Sequence, residues 1–274
     1  MDDNAGREPA QSEVDSSEPL VRVIDLTVRF GGVVAVSDVS VDFHSGQICG
    51  LIGPNGAGKT TLFDTISGIR PPTQGSIRYD GIDMRRKSVT WRSRHGMRRT
   101  FQRHQTFGWL SVEDNVLAAL EWRGGGGGLL ADMVRFPSRT RIESSRRRRV
   151  AEILELCSIA DLAKVSAARL PLGKARLVEM ARAIVDHPRV LLLDEPTSGL
   201  EESEVESFAE SVRMIRKEEA CTVVVIEHDV GFVMRLADRV VVLNLGTIVA
   251  DGLPAEVRNN KTVAEAYFGS KTQS

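Results

Sequence analysis

The stretch GPNGAGKT, residues 53–60, combines three glycines with a lysine and a threonine, residue types that can hold phosphate groups. It fits the pattern G-x-x-x-x-G-K-T and follows ICGLIG, an apolar run that indicates a buried strand. The glycines let successive backbone N–H groups converge on phosphate oxygens at the start of a helix. Lys59 is placed to reach the β- and γ-phosphates of a nucleotide, and the Thr60 hydroxyl to bind Mg²⁺. The sequence therefore predicts a nucleotide site, with binding residues Gly53, Pro54, Asn55, Gly56, Ala57, Gly58, Lys59, Thr60 and Thr61.

A second motif, VLLLDE at residues 190–195, supplies carboxylates. Its four apolar residues predict a buried strand that brings Asp194 to the carboxyl end, where α/β sheets bind ligands. Asp194 would hold Mg²⁺ through water, and Glu195 is placed to polarise the attacking water in phosphoryl transfer. The alternative for Glu195 is an ordinary surface carboxylate at a strand end.

The elements that must position these residues follow from the apolar pattern. VLLLDE and TVVVIEHD indicate central parallel strands between helices, and KTTLFDTISGI has helical spacing. Residues 20–48 read as short strands of alternating apolar and polar residues, interrupted by Gly-Gly, and predict an antiparallel sheet. Residues 239–252 predict a hairpin near the end of the chain. The fold class is therefore α/β, with an antiparallel part at the start.

No comparable strand pattern occurs between residues 103 and 185, where the spacing is helical. The glycine run at residues 124–128 is interpreted as a flexible connector. The arginines at 146–149 predict a solvated helix face, with contact to lipid headgroups as the alternative.

The bulk composition excludes several classes of protein. Of 274 residues, 42% are hydrophobic and 27% charged, and the formal net charge of −1 gives no argument for a nucleic-acid partner. Three cysteines, Cys49, Cys157 and Cys221, lack metal-ligand spacing and predict reduced core thiols of a cytosolic protein. No run approaches the ~18 apolar residues of a membrane span. Residues 1–19 carry six acidic residues and predict a disordered tail.

Three further motifs, together with the two above, follow one another along the chain in a recognisable order: Phe101-Gln102, SGL at residues 198–200, and His228 in VIEHD. This order resembles the ATP-binding cassette (ABC) ATPases of membrane transporters, over about residues 20–269. The resemblance implies a P-loop NTPase (RecA-like) core with an N-terminal antiparallel β-subdomain and an inserted α-helical subdomain at about 103–185. Residues 270–274 are then a second tail.

The same resemblance implies ATP and Mg²⁺ as cofactors and roles for single residues. Gln102 would sense the γ-phosphate, contact the metal together with Thr60 and Asp194, and link to the membrane subunits. His228 would contact the γ-phosphate, so that Glu195, His228 and Gln102 form the catalytic set. Phe30, in VRFGG, matches the aromatic that stacks on adenine.

A closer likeness is carried by LTVRFGGVVAVSDVSVDF, RTFQ and the ending GLPAEVRNNKTVAEAYFG. These stretches look like the ATPases of the branched-chain amino-acid importer group, which also transports other small polar solutes. The likeness implies a dimer with a second ABC ATPase beneath two membrane permeases, on the inner face of the cell membrane. A solute-binding protein would be an indirect partner.

The family signature L-S-G-G-Q is replaced here by Leu170, Pro171, Leu172, Gly173 and Lys174. In this family the signature lies at a helix N-terminus and faces the ATP of the other subunit, so free N–H groups there would attract a γ-phosphate. Pro171 removes a hydroxyl and one N–H donor but suits a first helical turn, while Gly173 preserves close approach. Lys174 either faces the partner's phosphate or points into water. The chain is therefore interpreted as one asymmetric half of an ATPase pair.

Several alternatives stay open from the sequence. An exporter ATPase shares all the core motifs, and a soluble ABC ATPase of translation or DNA repair and a non-catalytic ATP-binding module are further alternatives. Apolar bulk at Phe107, Trp109 and Leu110 predicts a docking surface for the membrane subunits. The alternative is that these side chains fill the core of the helical subdomain.

Overall fold

Two β-sheets and the helices around them form the structure, a computed structural model that describes residues 18–100, 106–121 and 137–268. The larger sheet has six strands in the order β10-β9-β3-β8-β7-β6. Its strands are β3 (Ile48–Ile52), β6 (Met97–Arg99), β7 (Val190–Asp194), β8 (Thr222–Ile226), β9 (Arg239–Asn244) and β10 (Thr247–Gly252). This arrangement confirms the predicted α/β class.

Strands β3, β7 and β8 are buried at every residue, as their continuous apolar runs predict. They pair in parallel, with β6 parallel to β7 at one side and β9 parallel to β3 at the other. The hairpin β9–β10 closes the sheet, as predicted for residues 239–252. Because the strands run in one direction, the segments that follow β3, β7 and β8 all leave the sheet at the same edge.

The smaller sheet is antiparallel, in the order β2-β1-β4-β5. Its strands are β1 (Val21–Phe30), β2 (Val33–Phe43), β4 (Gln74–Tyr79) and β5 (Ile82–Asp83). One apolar core, which includes Leu26, Val39 and Phe63, joins this sheet to one face of the larger sheet. The antiparallel part expected from residues 20–48 is confirmed, and β4 extends it.

The helices cover the faces of the larger sheet, and those between residues 112 and 184 share one apolar core with its strands. They are α1 (Lys59–Ser67), α2 (Val89–Arg94), α3 (Val112–Ala118), α4 (Pro137–Leu156), α5 (Leu172–Ile184), α6 (Glu202–Glu219), α7 (Val230–Leu236), α8 (Pro254–Arg258) and α9 (Lys261–Phe268). Within 106–121 and 137–185, the described residues form helices and turns, with one isolated bridge between Ser111 and Ser166. This matches the helical spacing of that stretch.

Some predictions concern residues that lie outside the described ranges. These are Gln102, the glycine run at 124–128, the tail at 270–274 and most of the tail at 1–19. The three cysteines are buried and free, which confirms their prediction as core thiols. In the described part of the chain, no helix has the length and apolar character needed to cross a membrane.

Candidate functional site

The loop between β3 and α1, residues 53–58, is shaped by its glycines. Gly53 has φ 153° and Gly58 has φ 103°, values that side chains on Cα disfavour. A Cβ at Gly53 would collide with the Leu243 carbonyl oxygen, and one at Gly58 would collide with the Ala35 carbonyl oxygen. The backbone is therefore held against β9 and β2, and its curve ends at the N-terminus of α1.

Lys59 is buried inside this curve. Its Nζ donates to the Gly53 carbonyl at 2.6 Å and to the Pro54 carbonyl at 3.0 Å. Burial lowers the pKa of the Lys59 ammonium, and the nearby carboxylates of Glu195 and Asp194 oppose that change. The ammonium is thus positioned by the loop itself, at the place where phosphate oxygens would gather.

Asp194 ends β7 and is almost fully buried. Its Oδ2 accepts a hydrogen bond from Arg99 Nη2 at 2.8 Å, whereas its buried Oδ1 has no hydrogen-bond partner in the described structure. Burial raises the pKa of the Asp194 carboxyl, and the Arg99 guanidinium partly offsets this. One oxygen of a buried carboxylate is therefore left for a ligand outside the protein.

Arg99 is a site residue that sequence reasoning missed. From the end of β6 it also donates to Asp64 Oδ1 at 2.7 Å and to Ser67 Oγ at 3.1 Å, both on α1. One guanidinium thus joins the helix after the glycine loop to the carboxylate at the end of β7. The signal in the sequence was a charged residue in RRTFQ, directly before the Phe-Gln motif.

Glu195 and His228 are brought together although 33 residues separate them. Glu195 Oε1 accepts a hydrogen bond from His228 Nε2 at 2.5 Å. Glu195 adopts φ 48°, the left-handed region, which costs a residue with a Cβ about 1–2 kcal/mol. A strained backbone thus aims this carboxylate at the histidine, beside Asp194 and close enough to influence Lys59.

Phe30, at the end of β1, has 42% of its surface exposed. The Arg70 guanidinium lies 4.1 Å from the centroid of its ring, a cation–π contact that covers one face. An adenine stacking on Phe30 would use the opposite face or displace Arg70.

The signature segment lies at the start of α5, as predicted. Pro171 is the N-cap, one position before the expected first turn, and no side chain caps the helix. Ala175 N–H is bonded to the Pro171 carbonyl, so the first helical N–H groups belong to Leu172, Gly173 and Lys174. Proline therefore removes the outermost donor and leaves those of the first turn in place.

The remaining signature side chains contact their own subunit. Leu172 packs against Gly199 of the SGL motif, and a Cβ at Gly173 would collide with the Glu204 carboxylate of α6. Lys174 is half-buried, and its Nζ lies 3.5 Å from the Ser158 carbonyl, at the long limit of a hydrogen bond. Both alternatives for Lys174, contact with a partner's phosphate and exposure to water, stay predictions.

The residues predicted to form the docking surface differ in how exposed they are. Trp109 is 81% exposed, with the Phe107 ring 5.6 Å away and Arg182 stacked over Phe107. Leu110 is half-buried. The core alternative is therefore wrong for Trp109, and the docking role stays a prediction.

Known proteins resemble the chain along most of its length. The family model described as ABC transporter matches residues 36–198, and that of the branched-chain amino acid ATP-binding cassette transporter matches residues 247–271. The high-affinity branched-chain amino acid transport ATP-binding protein BraF of Pseudomonas aeruginosa is 38% identical over 92% of this chain and 99% of its own length. LivG of Escherichia coli, with the same description, is 37% identical over the same shares.

Solved structures show the same architecture. The ADP conformation of MJ1267, an ATP-binding cassette of an ABC transporter, has a TM-score of 0.79 and 26% identity over 93% of this chain and all of its own. A nucleotide-free ATP-binding cassette has a TM-score of 0.78 over 92% of this chain and 99% of its own. The overall architecture thus has its counterpart in solved ATP-binding cassettes. The chain belongs to the ABC transporter family, and it is one of the ATP-hydrolysing subunits of that family.

Proposed function

We propose that this chain drives the uptake of branched-chain amino acids, or of a related small polar solute. The observation that carries the proposal is the match of residues 247–271 to the branched-chain amino acid cassette model, together with relatives of that description over 92% of the chain. The chain would act on the inner face of the membrane as one half of a dimer with a second ABC ATPase. Two permeases would bind it directly and a solute-binding protein indirectly.

The glycine loop and Lys59 would bind the phosphates of ATP. Phosphate oxygens would take the ammonium of Lys59 from the Gly53 and Pro54 carbonyls that now hold it, because a charge-assisted bond is stronger than a neutral one. Phe30 would stack on the adenine with the ring face that Arg70 leaves open.

The residues present fit a bound Mg²⁺. Asp194 Oδ1 is buried and without a partner, and the Thr60 hydroxyl is exposed at the first turn of α1. One carboxylate and one hydroxyl, with water and phosphate oxygens, suit a cation that keeps much of its water. Gln102 would complete this set. Bound there, Mg²⁺ would neutralise charge on the phosphate oxygens.

Glu195 would polarise the attacking water, and His228 would hold Glu195 and contact the γ-phosphate. The 2.5 Å contact holds one oxygen of the carboxylate, and the second oxygen would act on the water. The site then acts by positioning and electrostatic stabilisation, the main sources of rate in phosphoryl transfer.

Two variants test the site. Lys59→Ala should abolish ATP binding, because the cation that faces the phosphates is gone. Glu195→Gln should bind ATP normally and lower turnover in the assembled transporter about 10³-fold, since only the water-activating carboxylate is lost. ATP binding and steady-state hydrolysis are the measurements. Substantial turnover by Glu195→Gln would contradict the role of Glu195.

The solute is tested in cells that carry this chain and its neighbouring transport genes. Uptake of radiolabelled leucine should depend on the chain and should be lost with Glu195→Gln, which leaves the assembly intact. Unchanged leucine uptake with that variant, while urea or amide uptake falls, would assign the related small polar solutes instead.

A further inference from the structure

Glu227, the residue between β8 and His228, is 3% exposed and has no part in the chemistry described above. Its Oε1 accepts two hydrogen bonds from Thr197, one from the backbone N–H at 2.8 Å and one from Oγ1 at 2.6 Å. Its Oε2 accepts the backbone N–H of His228 at 3.1 Å. Each oxygen of one buried carboxylate therefore holds a different loop.

The two loops are the ones that carry the proposed catalytic pair. Strands β7 and β8 pair up to Asp194 and Ile226, and the last backbone bond between them is Glu195 N–H to the Ile226 carbonyl at 2.9 Å. Among the described residues, the backbone hydrogen bonding between the two strands ends with this bond. The two segments are joined next by the hydrogen bonds from Thr197, two residues after Glu195, to the Glu227 carboxylate.

A further restraint is needed at this point because Glu195 is strained. A residue with a Cβ at φ 48° keeps that conformation only when its surroundings hold it. Bonds from an N–H or O–H group to a buried carboxylate are charge-assisted and roughly twice as strong as neutral ones. Glu227 accepts three such bonds, two from Thr197 and one from His228, beyond the end of the strand pairing.

We propose that Glu227 is a positioning residue for ATP hydrolysis. By holding Thr197 and the His228 backbone with one carboxylate, it fixes the position of the Glu195 side chain relative to His228. The proposal rests on the roles proposed for Glu195 and His228. Its three bonds stay within this chain, so Glu227 acts on the rate through the pair and not through ATP binding.

If Glu227 only stabilised the fold, its substitution would have a different effect. Its loss would lower stability, with no change in turnover per folded molecule. A displaced Glu195 would lower kcat at saturating ATP and leave ATP affinity intact, because a misplacement of about 1 Å in a reacting group can cost 10²-fold. The separation of kcat from ATP affinity is therefore the deciding measurement.

The variants are Glu227→Gln, Thr197→Val and Thr197→Ser, in the ATPase complex purified with its partner subunits. Glu227→Gln places an amide N–H against an N–H or O–H donor, and should lower kcat about 10–100-fold with the ATP Kd within about 3-fold. Thr197→Val removes one of the three bonds and should lower kcat about 3–10-fold. Thr197→Ser keeps the hydroxyl and should stay within about 2-fold of the native chain.

Thr222→Val is the matched control, since it removes a buried hydroxyl from the opposite end of β8. Thr222 Oγ1 accepts from Gly46 N–H and donates to the His44 carbonyl, away from the site. This variant should lower stability and leave kcat per folded molecule unchanged. In the double variant Glu227→Gln with Thr197→Val, kcat should fall no further than in Glu227→Gln alone, because both changes break one connection.

The outcomes separate cleanly. Unchanged kcat in Glu227→Gln, multiplicative losses in the double variant, or equal losses in kcat and ATP affinity would overturn the proposal. If Glu227→Gln does not fold, Thr197→Val against Thr197→Ser decides it. Glu195→Gln and His228→Ala are measured alongside. Normal turnover in those two would show that the roles proposed for Glu195 and His228 are wrong. Reduced turnover in those two, with normal turnover in the Glu227 and Thr197 variants, would reject only the role of Glu227.

Discussion

The nucleotide end of the molecule is formed by residues 53–61, Asp194, Glu195 and His228. It differs from the two segments that we propose to face partner chains, residues 107–110 and 170–174, called here the partner-facing segments. At the nucleotide end Lys59 and Asp194 are buried and hydrogen-bonded, Lys59 to carbonyls of its own loop and Asp194 to Arg99 of β6. In the partner-facing segments, Trp109 and Leu172 are exposed. The first region is built by this chain's own folding, whereas the second leaves apolar side chains exposed.

This difference has a physical cause. A buried charge must keep its partner, because an unpaired charge in the interior costs several kcal/mol. An exposed side chain at a helix N-terminus carries no such penalty, so the signature can depart from L-S-G-G-Q without harm to the fold. Changes at the buried pair of Asp194 and Arg99 should therefore affect folding and activity together, and changes in the partner-facing segments should affect activity or assembly alone.

The largest expected effect is that of Arg99→Ala. It leaves Asp194 and Asp64 without the guanidinium they share, so the free energy of unfolding should fall by about 3–5 kcal/mol. Turnover should fall as well, because Asp194 loses its orientation. Urea unfolding and ATP hydrolysis are the measurements.

The control is Arg22→Ala, which breaks an ion pair with Asp42 on the exposed face of the smaller sheet. That pair should contribute no more than about 1 kcal/mol. If the two variants lose the same stability, burial is not what distinguishes the nucleotide end.

The next effect concerns the signature. If the chain pairs with a different ATPase, the partner's nucleotide meets Pro171, Leu172 and Lys174 and should be hydrolysed slowly, because a lost donor near the γ-phosphate costs about 10²-fold. Restoring Ser at 171, Gly at 172 and Gln at 174 should raise turnover at the partner's site. Glu195→Gln silences this chain's own site, so hydrolysis by the pair reports the partner's site alone.

The structure sharpens that experiment. Leu172 contacts Gly199, so Leu172→Gly alone removes a contact within this chain. Pro171→Ser alone returns the hydroxyl and the outermost N–H and leaves that contact in place. Turnover that stays level or falls in both the single and the triple change would show that LPLGK is a competent signature, and the asymmetry between the two ATP sites would be rejected.

The sequence predicted the parts of the site that depend on local pattern. The glycine loop, Asp194 and Glu195 stand in or directly after apolar runs, so their place at the carboxyl ends of strands could be foreseen. Arg99 could not, because its partners Asp64 and Asp194 are 35 and 95 residues away. Glu227 was hidden for the same reason, since Thr197 lies 30 residues from it.

Propensity alone does not give the exact residue at which the signature helix starts. Proline fixes φ near the helical value and is common at the first helical position, yet Pro171 has ψ 157° and caps the helix from outside. Gly199, in the loop before α6, and Glu204 of α6 lie next to Leu172 and Gly173 at this helix start. Tertiary contacts of this kind are not encoded in local spacing.

A smaller effect on folding is expected for Trp109→Glu. Because Trp109 is 81% exposed, the free energy of unfolding should change by less than about 0.5 kcal/mol. Assembly with the membrane subunits should be lost, since a charge would stand in an apolar contact. Ile82→Glu, an exposed apolar position on β5, is the matched control and should assemble normally. Normal assembly of the Trp109→Glu chain with the membrane subunits would reject the docking role of this tryptophan.

The smallest effect is a difference in local opening between the two regions. Cys49 lies in β3 beneath the glycine loop, and Cys157 follows α4 beneath the signature helix; burial raises the pKa of each thiol to about 12. Native protein at about pH 8 should therefore react with iodoacetamide very slowly. In dilute urea Cys157 should be labelled first, because β3 is bonded to strands on both sides whereas Cys157 stands in a turn after α4, outside both sheets. Mass spectrometry of the two peptides gives the rates, and identical rates would mean that both regions open in one cooperative step.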